Sequence, residues 1–212
     1  MPGVATSARE YLPERPTLPR LREAAAGCRG CHLWQGATQT VFGEGLRKAR
    51  IMLVGEMPGD REDREGRPFV GPAGRELDRA LDAAGIERGD LYVTNVVKHF
   101  KFEERGKRRI HQTPRKGEID ACSPWLDTEI KLIRPVGVVA LGATAAKALF
   151  GSRFRLTQHR GELIESALAP VAAATIHPAA IVRERDAEAR ERERRALADD
   201  LRGVRAAVAQ SS

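Results

Sequence analysis

The stretch ARIMLVGE, residues Ala49–Glu56, is a short apolar run that ends at a glycine and a glutamate. A run of this kind is typical of a strand that is buried on both faces of a parallel sheet. Three later stretches have the same character: DLYVTNVV from Asp90, VGVVALG from Val136 and PVAAATIHP from Pro170. The sequence therefore predicts four buried strands.

Helical periodicity fills the intervals between these strands and the tail, where apolar residues recur at spacings of three and four. The repeating positions are Leu77, Ala80, Leu81 and Ala84, then Ile119, Cys122, Leu126, Ile130 and Ile133, and in the charged tail Leu197, Leu201, Val204 and Val208. Strands that alternate with helices predict an α/β fold. We expect a three-layer α/β/α domain with a central, mostly parallel four-stranded sheet.

One domain is expected over residues 19–208, with an extended proline-containing arm at residues 1–18 and a short tail at residues 209–212. No apolar run approaches the roughly 18 residues of a membrane span, and the first residues lack the apolar segment of a secretory signal. We therefore expect a cytoplasmic protein with no membrane partner. The formal charge of +7 favours a polyanionic partner, because Lys and Arg that face phosphates release condensed counterions.

Polar side chains stand at the ends of three predicted strands. Glu56, Asn95 and His177 each follow an apolar run. In open α/β sheets, ligands bind outside the carboxyl ends of the strands. We therefore expect these three side chains to meet at one binding site. A dehydrogenase is disfavoured, because no G-x-G-x-x-G motif follows the first strand.

The three cysteines are spaced like metal ligands. CRGC contains Cys28 and Cys31, Cys122 is the third thiol, and His99 is the natural candidate for a fourth donor. Three thiolates and an imidazole suit zinc or an iron–sulfur cluster, and spacing does not choose between them. The alternative is a reduced thiol pair with Cys122 buried in its helix face.

The stretch GKRRIHQTPRKGE, Gly106–Glu118, is strongly basic and has no apolar periodicity. Glycine and proline punctuate it, which is typical of a solvated loop. On this pattern alone it is a phosphate-binding arm.

Four motifs together resemble the uracil-DNA glycosylase superfamily: GEMPGDREDREGRPFVGPAG, TNVVKHFKF, GKRRIH and HPAAIVR. Their order, with CRGC and Cys122, is similar to the uracil-DNA glycosylase X type, a relative of the family-four iron–sulfur enzymes. The resemblance runs from about Leu18 to Val208. It implies excision of uracil from DNA, with uracil-containing DNA as the partner. No obligate protein partner is evident, and we expect a monomer.

The resemblance also implies roles for the site residues. Phe69 stacks on the flipped base, Asn95 reads its edge, and His177 bonds uracil O2 as charge develops there. The Glu56–Met57–Pro58–Gly59 turn contributes backbone N–H groups, although this chain has Met57 where the X type usually has glutamine. Glu56 and Asp60 are implied to contact the sugar, and Lys107, Arg108 and Arg183 to attract or hold the phosphates. Arg109 is implied to position the loop or to contact a phosphate.

His111 is the residue that the X-type resemblance marks as unusual. There the histidine of the basic loop replaces water, attacks C1′ of the deoxyribose and stays attached. The implied protein is a single-turnover enzyme that caps the abasic site. The family further implies a [4Fe–4S] cluster, away from the pocket, held by Cys28, Cys31, His99 and Cys122. Two alternatives remain: a water-using glycosylase, and a non-catalytic metal-stapled module that binds damaged DNA.

Overall fold

The computed structural model describes residues 7–211, so residues 1–6 of the predicted arm and Ser212 of the predicted tail lie outside the described residues. Its main sheet contains β1 (Glu44–Gly45), β2 (Ile51–Gly55), β3 (Leu91–Asn95), β6 (Gly137–Leu141), β7 (Leu163–Ile164) and β8 (Val171–Thr175). The spatial order is β1-β3-β2-β6-β8-β7. The remaining two strands, β4 (Phe102–Arg105) and β5 (Arg108–His111), form a separate antiparallel pair.

The four central strands are those that the sequence predicts, and they pair with one another only in parallel. The α/β/α fold class with a mostly parallel sheet is therefore confirmed. The predicted number of four strands is wrong, because β1 and β7 add an antiparallel strand at each edge. Each edge strand is only two residues long, which is too short to show an alternating pattern in the sequence.

Helices cover both faces of the sheet. They are α1 (Leu18–Ala26), α2 (Asp60–Glu65), α3 (Pro72–Ala84), α4 (Lys116–Ile133), α5 (Ala143–Phe150), α6 (Leu156–His159), α7 (Pro178–Arg183) and α8 (Ala187–Gln210). Side chains alternate along β2: Met52 and Val54 join the core beneath α1 and α4, whereas Ile51 and Leu53 join the core beneath α3 and α8. No helix in the range 7–211 is long and apolar enough to cross a membrane.

The basic stretch differs from the solvated loop that its composition predicts. Its first half is the second strand of the β4–β5 hairpin, in which Phe102 pairs with His111. Gly106 occupies the turn with φ of +60°, a conformation that glycine adopts without strain. The side chains of both strands are largely exposed, so no buried face imposes the apolar alternation by which strands are recognised.

Part of the predicted arm contacts the domain. Residues Ala8–Tyr11 form a turn of 3-10 helix that packs on α4, and Ala8 is buried there. Two further 3-10 turns cover His32–Gln35 and Arg88–Asp90. The domain boundaries at residues 18 and 208 stay a prediction.

Burial of one face of α8 generates a stability prediction. Leu201 is 1% exposed and lies on the same buried face of α8 as Leu197, Val204 and Val208, whereas Leu163 on the edge strand is 60% exposed. Leu201→Ala is expected to lower the free energy of unfolding by about 2–5 kcal/mol, through lost burial and the cavity left behind. Leu163→Ala, the same chemical change, should alter it by less than about 0.5 kcal/mol. Urea denaturation measures both, and equal effects would contradict the packing of α8.

Candidate active site

A cleft of about 420 Å³ opens at the carboxyl ends of the parallel strands. All the central strands run in the same direction, so the residues that follow β2, β3, β6 and β8 meet at this edge. Eight residues that the sequence or its resemblance points to line the cleft: Glu56, Met57, Gly59, Phe69, Asn95, His111, His177 and Arg183. The structure thus brings together side chains from five separate segments of the chain.

Glu56 and His111 face each other across the mouth of the cleft. The distance from His111 Nε2 to Glu56 Oε1 is 3.2 Å, and 46% of the His111 side chain remains exposed. Burial of Glu56 raises the pKa of its carboxyl, but hydrogen bonds from His111 and Thr144 outweigh that effect, so the net pKa is lowered. Glu56 is therefore a carboxylate at neutral pH, in contact with an accessible imidazole.

Arg109 and Asp60 do not line the cleft but pair with each other beside it. Arg109 Nε lies 2.5 Å from Asp60 Oδ1, and Nη1 lies 2.7 Å from Oδ2 of the buried Asp63. The guanidinium also stacks over the rings of Phe100 and Phe102. Arg109 thus holds the β4–β5 hairpin against α2, and this contact sets the position of His111 two residues later. Lys107 and Arg108 are exposed at the hairpin turn, outside the cleft lining.

Asn95 and Phe69 form the closed end of the cleft. A Cβ atom at Gly55 would overlap Asn95 Oδ1 and lie 2.6 Å from Phe69 Cζ, so glycine is required for their close approach. Phe69 adopts a strained φ of +54°, and Arg88 donates to the carbonyl oxygens of Pro68 and Phe69. Asn95 Oδ1 is buried with no hydrogen-bond partner in the described part of the chain. An unsatisfied acceptor at the base of a cleft favours a bound donor.

His177 is held in one tautomer by the helix that it caps. Its Nδ1 accepts the Ala179 N–H at 3.1 Å, so the ring hydrogen of the neutral form belongs on Nε2. Desolvation of the ring lowers the pKa of His177 to about 4, against the opposing effect of Glu56. The ring stacks on Phe69 with the centroids 5.8 Å apart. His177 therefore presents a neutral N–H donor at neutral pH.

Three polar side chains in the cleft were missed from the sequence: Glu62, Thr113 and Thr144. Glu62 is buried on α2 and accepts the Gly71 N–H at 2.9 Å. This hydrogen bond connects α2 to the turn that precedes α3. Thr144 bonds the carboxylate of Glu56. The strand-end rule could have found Thr144, because it lies three residues beyond β6. Glu62 lies in the charged run DREDRE, where nothing in the pattern separates a buried carboxylate from exposed ones.

The three cysteines lie on the face of the sheet opposite to α3. Cys28, Cys31 and Cys122 are buried free thiols packed in one core cluster. Trp125 Nε1 donates to Cys28 Sγ at 3.4 Å, and the Lys98 N–H donates to Cys122 Sγ at 3.3 Å. Burial raises the pKa of Cys31, and charge on Cys28 raises it further. Burial likewise raises the pKa of Cys122 to about 12.

His99 lines the same small surface pocket as Cys28. Its Nε2 lies 2.9 Å from Thr40 Oγ1, and burial lowers its pKa to about 4, which keeps the imidazole neutral. No three His, Cys, Asp or Glu side chains between residues 7 and 211 are arranged as a metal-binding group. The donor types, three thiols and one imidazole, nevertheless fit a thiolate-ligated centre. N–H groups also point at two of the sulfurs, as they do around ligands of such centres.

Comparison with known proteins relates this geometry to named enzymes. The sequence profile described as the uracil DNA glycosylase superfamily matches residues 42–202. The type-4 uracil-DNA glycosylase of Sulfurisphaera tokodaii is 42% identical over 151 residues, which is 69% of this chain and 66% of that relative.

Two further relatives are covered over more of their length. The type-4 uracil-DNA glycosylase of Pyrobaculum aerophilum is 39% identical over 174 residues, or 79% of this chain and 85% of the relative. The enzyme of the same description from Thermotoga maritima is 39% identical over 169 residues, or 79% of this chain and 84% of the relative. The chain therefore belongs to the uracil-DNA glycosylase superfamily and is related to its type-4 enzymes.

Proposed function

We propose that this protein is a DNA-repair glycosylase that excises uracil from DNA and becomes covalently linked to the abasic site through His111. The observation that carries this proposal is the convergence of Glu56, Asn95, His177 and His111 in one cleft. The relatives named as type-4 uracil-DNA glycosylases support the excision step. The accessible imidazole beside a carboxylate supports the covalent step.

The closed end of the cleft suits an extruded uracil. An enzyme that acts on a base in DNA takes the base out of the stack and reads its Watson–Crick edge. We propose that the ring packs on Phe69 while Asn95 Oδ1 accepts from uracil N3–H and the Asn95 amide N–H donates to O4. Cytosine presents an acceptor at N3 and a donor at position 4, so with the amide in this orientation it would leave both groups of Asn95 unpaired. Unpaired buried polar groups make such a site selective.

Cleavage of the C1′–N1 bond leaves its electron pair on the base. We propose that the N–H of His177 donates to uracil O2, where that negative charge develops; donors of this kind are most effective when preorganised. Backbone N–H groups of the Met57–Gly59 turn assist, with Met57 contributing no side-chain hydrogen bond. The Glu56 carboxylate stabilises the positive charge on the sugar, as carboxylates do in glycoside hydrolysis.

The covalent step follows at C1′. The unprotonated ring nitrogen of His111 donates its lone pair to C1′ as the bond to N1 of uracil breaks. The imidazolium that forms is stabilised by Glu56, and its N–H proton is lost as the uracil anion gains one. The product is a neutral imidazole linked to C1′, together with free uracil. The imidazole is a poor leaving group, which limits the enzyme to a single turnover.

The remaining basic residues are proposed to bind the DNA backbone. Lys107 and Arg108 extend from the hairpin turn, and Arg183 lines the cleft. Phosphate contacts of this type position the nucleic acid without reading its sequence. Arg109 and Asp60 are proposed to act indirectly, since their ion pair holds the hairpin that carries His111. We propose that the protein acts as a cytoplasmic monomer on uracil-containing DNA.

We also propose that Cys28, Cys31, His99 and Cys122 hold a [4Fe–4S] cluster. When bound, the cluster would cross-link the segment before β1, the turn after β3 and helix α4. The N–H groups of Trp125 and Lys98 would then donate to ligand sulfurs, as is common around such clusters. Its proposed role is structural.

A denaturing gel tests the covalent step. Mixed with a uracil-containing single-stranded oligonucleotide, the wild type is expected to give a band at the summed mass that survives boiling in detergent. His111→Ser should abolish this band, because the serine hydroxyl is a much weaker nucleophile than an imidazole. His159→Ser should retain it. His159 is a matched control because it is exposed and pairs with Glu162 outside the cleft.

Free DNA that breaks at the uracil position under alkali, with no adduct, would show a water-using glycosylase and contradict the role of His111. DNA left intact by the wild type would contradict excision altogether and favour a binding module.

The lowered pKa of His177 predicts a pH dependence of stability. Its folded-state pKa of about 4 lies below the ordinary value of 6.5, so the unfolded chain binds more protons between these values. The contribution is complete above pH 6.5 and is lost as the pH falls towards 4. His177→Asn keeps a capping acceptor for Ala179 but removes the titration. Between pH 7 and 4, urea denaturation should show the wild type losing about 3 kcal/mol more than this variant; equal losses would contradict a neutral His177.

Metal analysis tests the cluster. Protein purified without oxygen is expected to carry roughly four iron atoms and equivalent sulfide per chain. Cys122→Ala should lose most of this iron, because it removes one of four ligands. His32→Ala should retain it, since His32 pairs with Glu118 at the surface. Stoichiometric zinc without iron, or no metal at all, would contradict the proposal.

A further inference from the structure

Helix α4 and the turn after β3 share a buried ion pair that none of the steps above uses. The side chain of Lys98 is 1% exposed and that of Glu129 is 0% exposed, with Nζ 2.5 Å from Oε2. Charged side chains are almost never buried this deeply unless they are paired and fully hydrogen-bonded. A residue kept at this desolvation cost is a candidate for a specific role.

Lys98 connects this pair to the end of β3. Its Nζ donates to the carbonyl oxygen of Asn95 at 2.7 Å and to Thr94 Oγ1 at 2.7 Å. Glu129 accepts in turn from Thr94 and from the Tyr92 hydroxyl. All three hydrogens of the ammonium are therefore used, and one of them is bonded to the backbone of the residue that closes the cleft.

The side chain of Asn95 has no comparable restraint of its own. Its Oδ1 has no hydrogen-bond partner in residues 7–211, and it lies close to Gly55 and Phe69. The backbone of residue 95 therefore sets the position from which the amide projects. Val96 and Val97 donate to the carbonyl oxygens of Gly55 and Glu56 on one side, and Lys98 binds the Asn95 carbonyl on the other.

We propose that Lys98, supported by Glu129, is a positioning residue for Asn95 and so determines how well the cleft distinguishes uracil from cytosine. This inference rests on the proposed excision of uracil. The helix that supplies Glu129 also supplies Cys122, whose sulfur accepts the Lys98 backbone N–H. Helix α4 therefore fixes both the side chain and the backbone of the residue that orients Asn95.

A double-mutant cycle separates positioning from general stabilisation. Lys98→Met with Glu129→Leu removes both charges at similar volume, which avoids leaving one charge buried and unpaired. In single-turnover assays, this variant is expected to release uracil at least tenfold more slowly than the wild type, since a small misplacement of a reading group has a large effect on rate. Added to Asn95→Ala, it should slow release by less than about threefold, because residues that act through one another are not additive.

Leu201→Ala serves as the destabilised control, since Leu201 is buried on α8 and is not among the residues that line the cleft. Leu201→Ala should have a small effect on uracil release both in the wild type and in the Asn95→Ala variant. Full additivity of the Lys98 and Glu129 changes with Asn95→Ala would overturn the proposal and reduce the pair to structural support. Lys98→Met with Glu129→Gln, which also removes both charges but keeps one acceptor at residue 129, provides a milder variant for the same cycle if the apolar pair fails to fold.

Amide hydrogen exchange gives a readout that does not need activity. The Lys98→Met/Glu129→Leu variant is expected to exchange the Val96 and Val97 amides at least tenfold faster, with amides in β6 and β8 unchanged. Unchanged exchange at residues 96 and 97 would overturn the inference. A wild type that releases no uracil would instead contradict the proposed function, and the exchange result would still decide whether Lys98 orders the end of β3.

Discussion

Parallel hydrogen bonding of β2 with β3 on one side and β6 on the other is the constraint on which the remaining structure depends. Because the strands run in one direction, whatever follows each of them is delivered to a single edge. Glu56, Asn95 and His177 become neighbours in this way, although they are distant in the chain. The glycine at the end of β2 adds a second requirement, since only a residue without a side chain lets Phe69 and Asn95 approach each other there.

The chemistry assigned to His111 depends on contacts outside the sheet. The β4–β5 hairpin is mostly exposed and has little apolar surface to hold it in place. Its position comes from Arg109, whose guanidinium reaches two carboxylates of α2 and lies over two aromatic rings. A partly buried guanidinium that binds two carboxylates has well-defined geometry. The side chain of His111, the proposed nucleophile, is thereby held next to Glu56.

The cysteine cluster and the end of the cleft that is proposed to read the base are connected by a short piece of backbone. Residues 95–99 include Asn95 at one end and His99 at the other, and Lys98 between them bonds both Cys122 and the carbonyl of Asn95. Helix α4 carries two partners of Lys98, Cys122 and Glu129, which lie about two turns apart on the same face. A change in the packing of α4 would therefore be felt at the cleft, because dense interiors transmit displacement rather than absorb it.

The sequence by itself determined the four central strands, the main amphipathic helices and the three polar residues at strand ends, because these depend on local apolar patterns and on the shared direction of the strands. Its resemblance to a known family determined the membership that the comparisons confirm. Only the tertiary structure decided that the basic stretch is a hairpin, that Arg109 and Asp60 pair beside the cleft, and that Glu62 and Lys98 are buried. Those features arise from charged side chains meeting partners distant in sequence. A charge pattern read along the chain is the same whether its residues face water or one another.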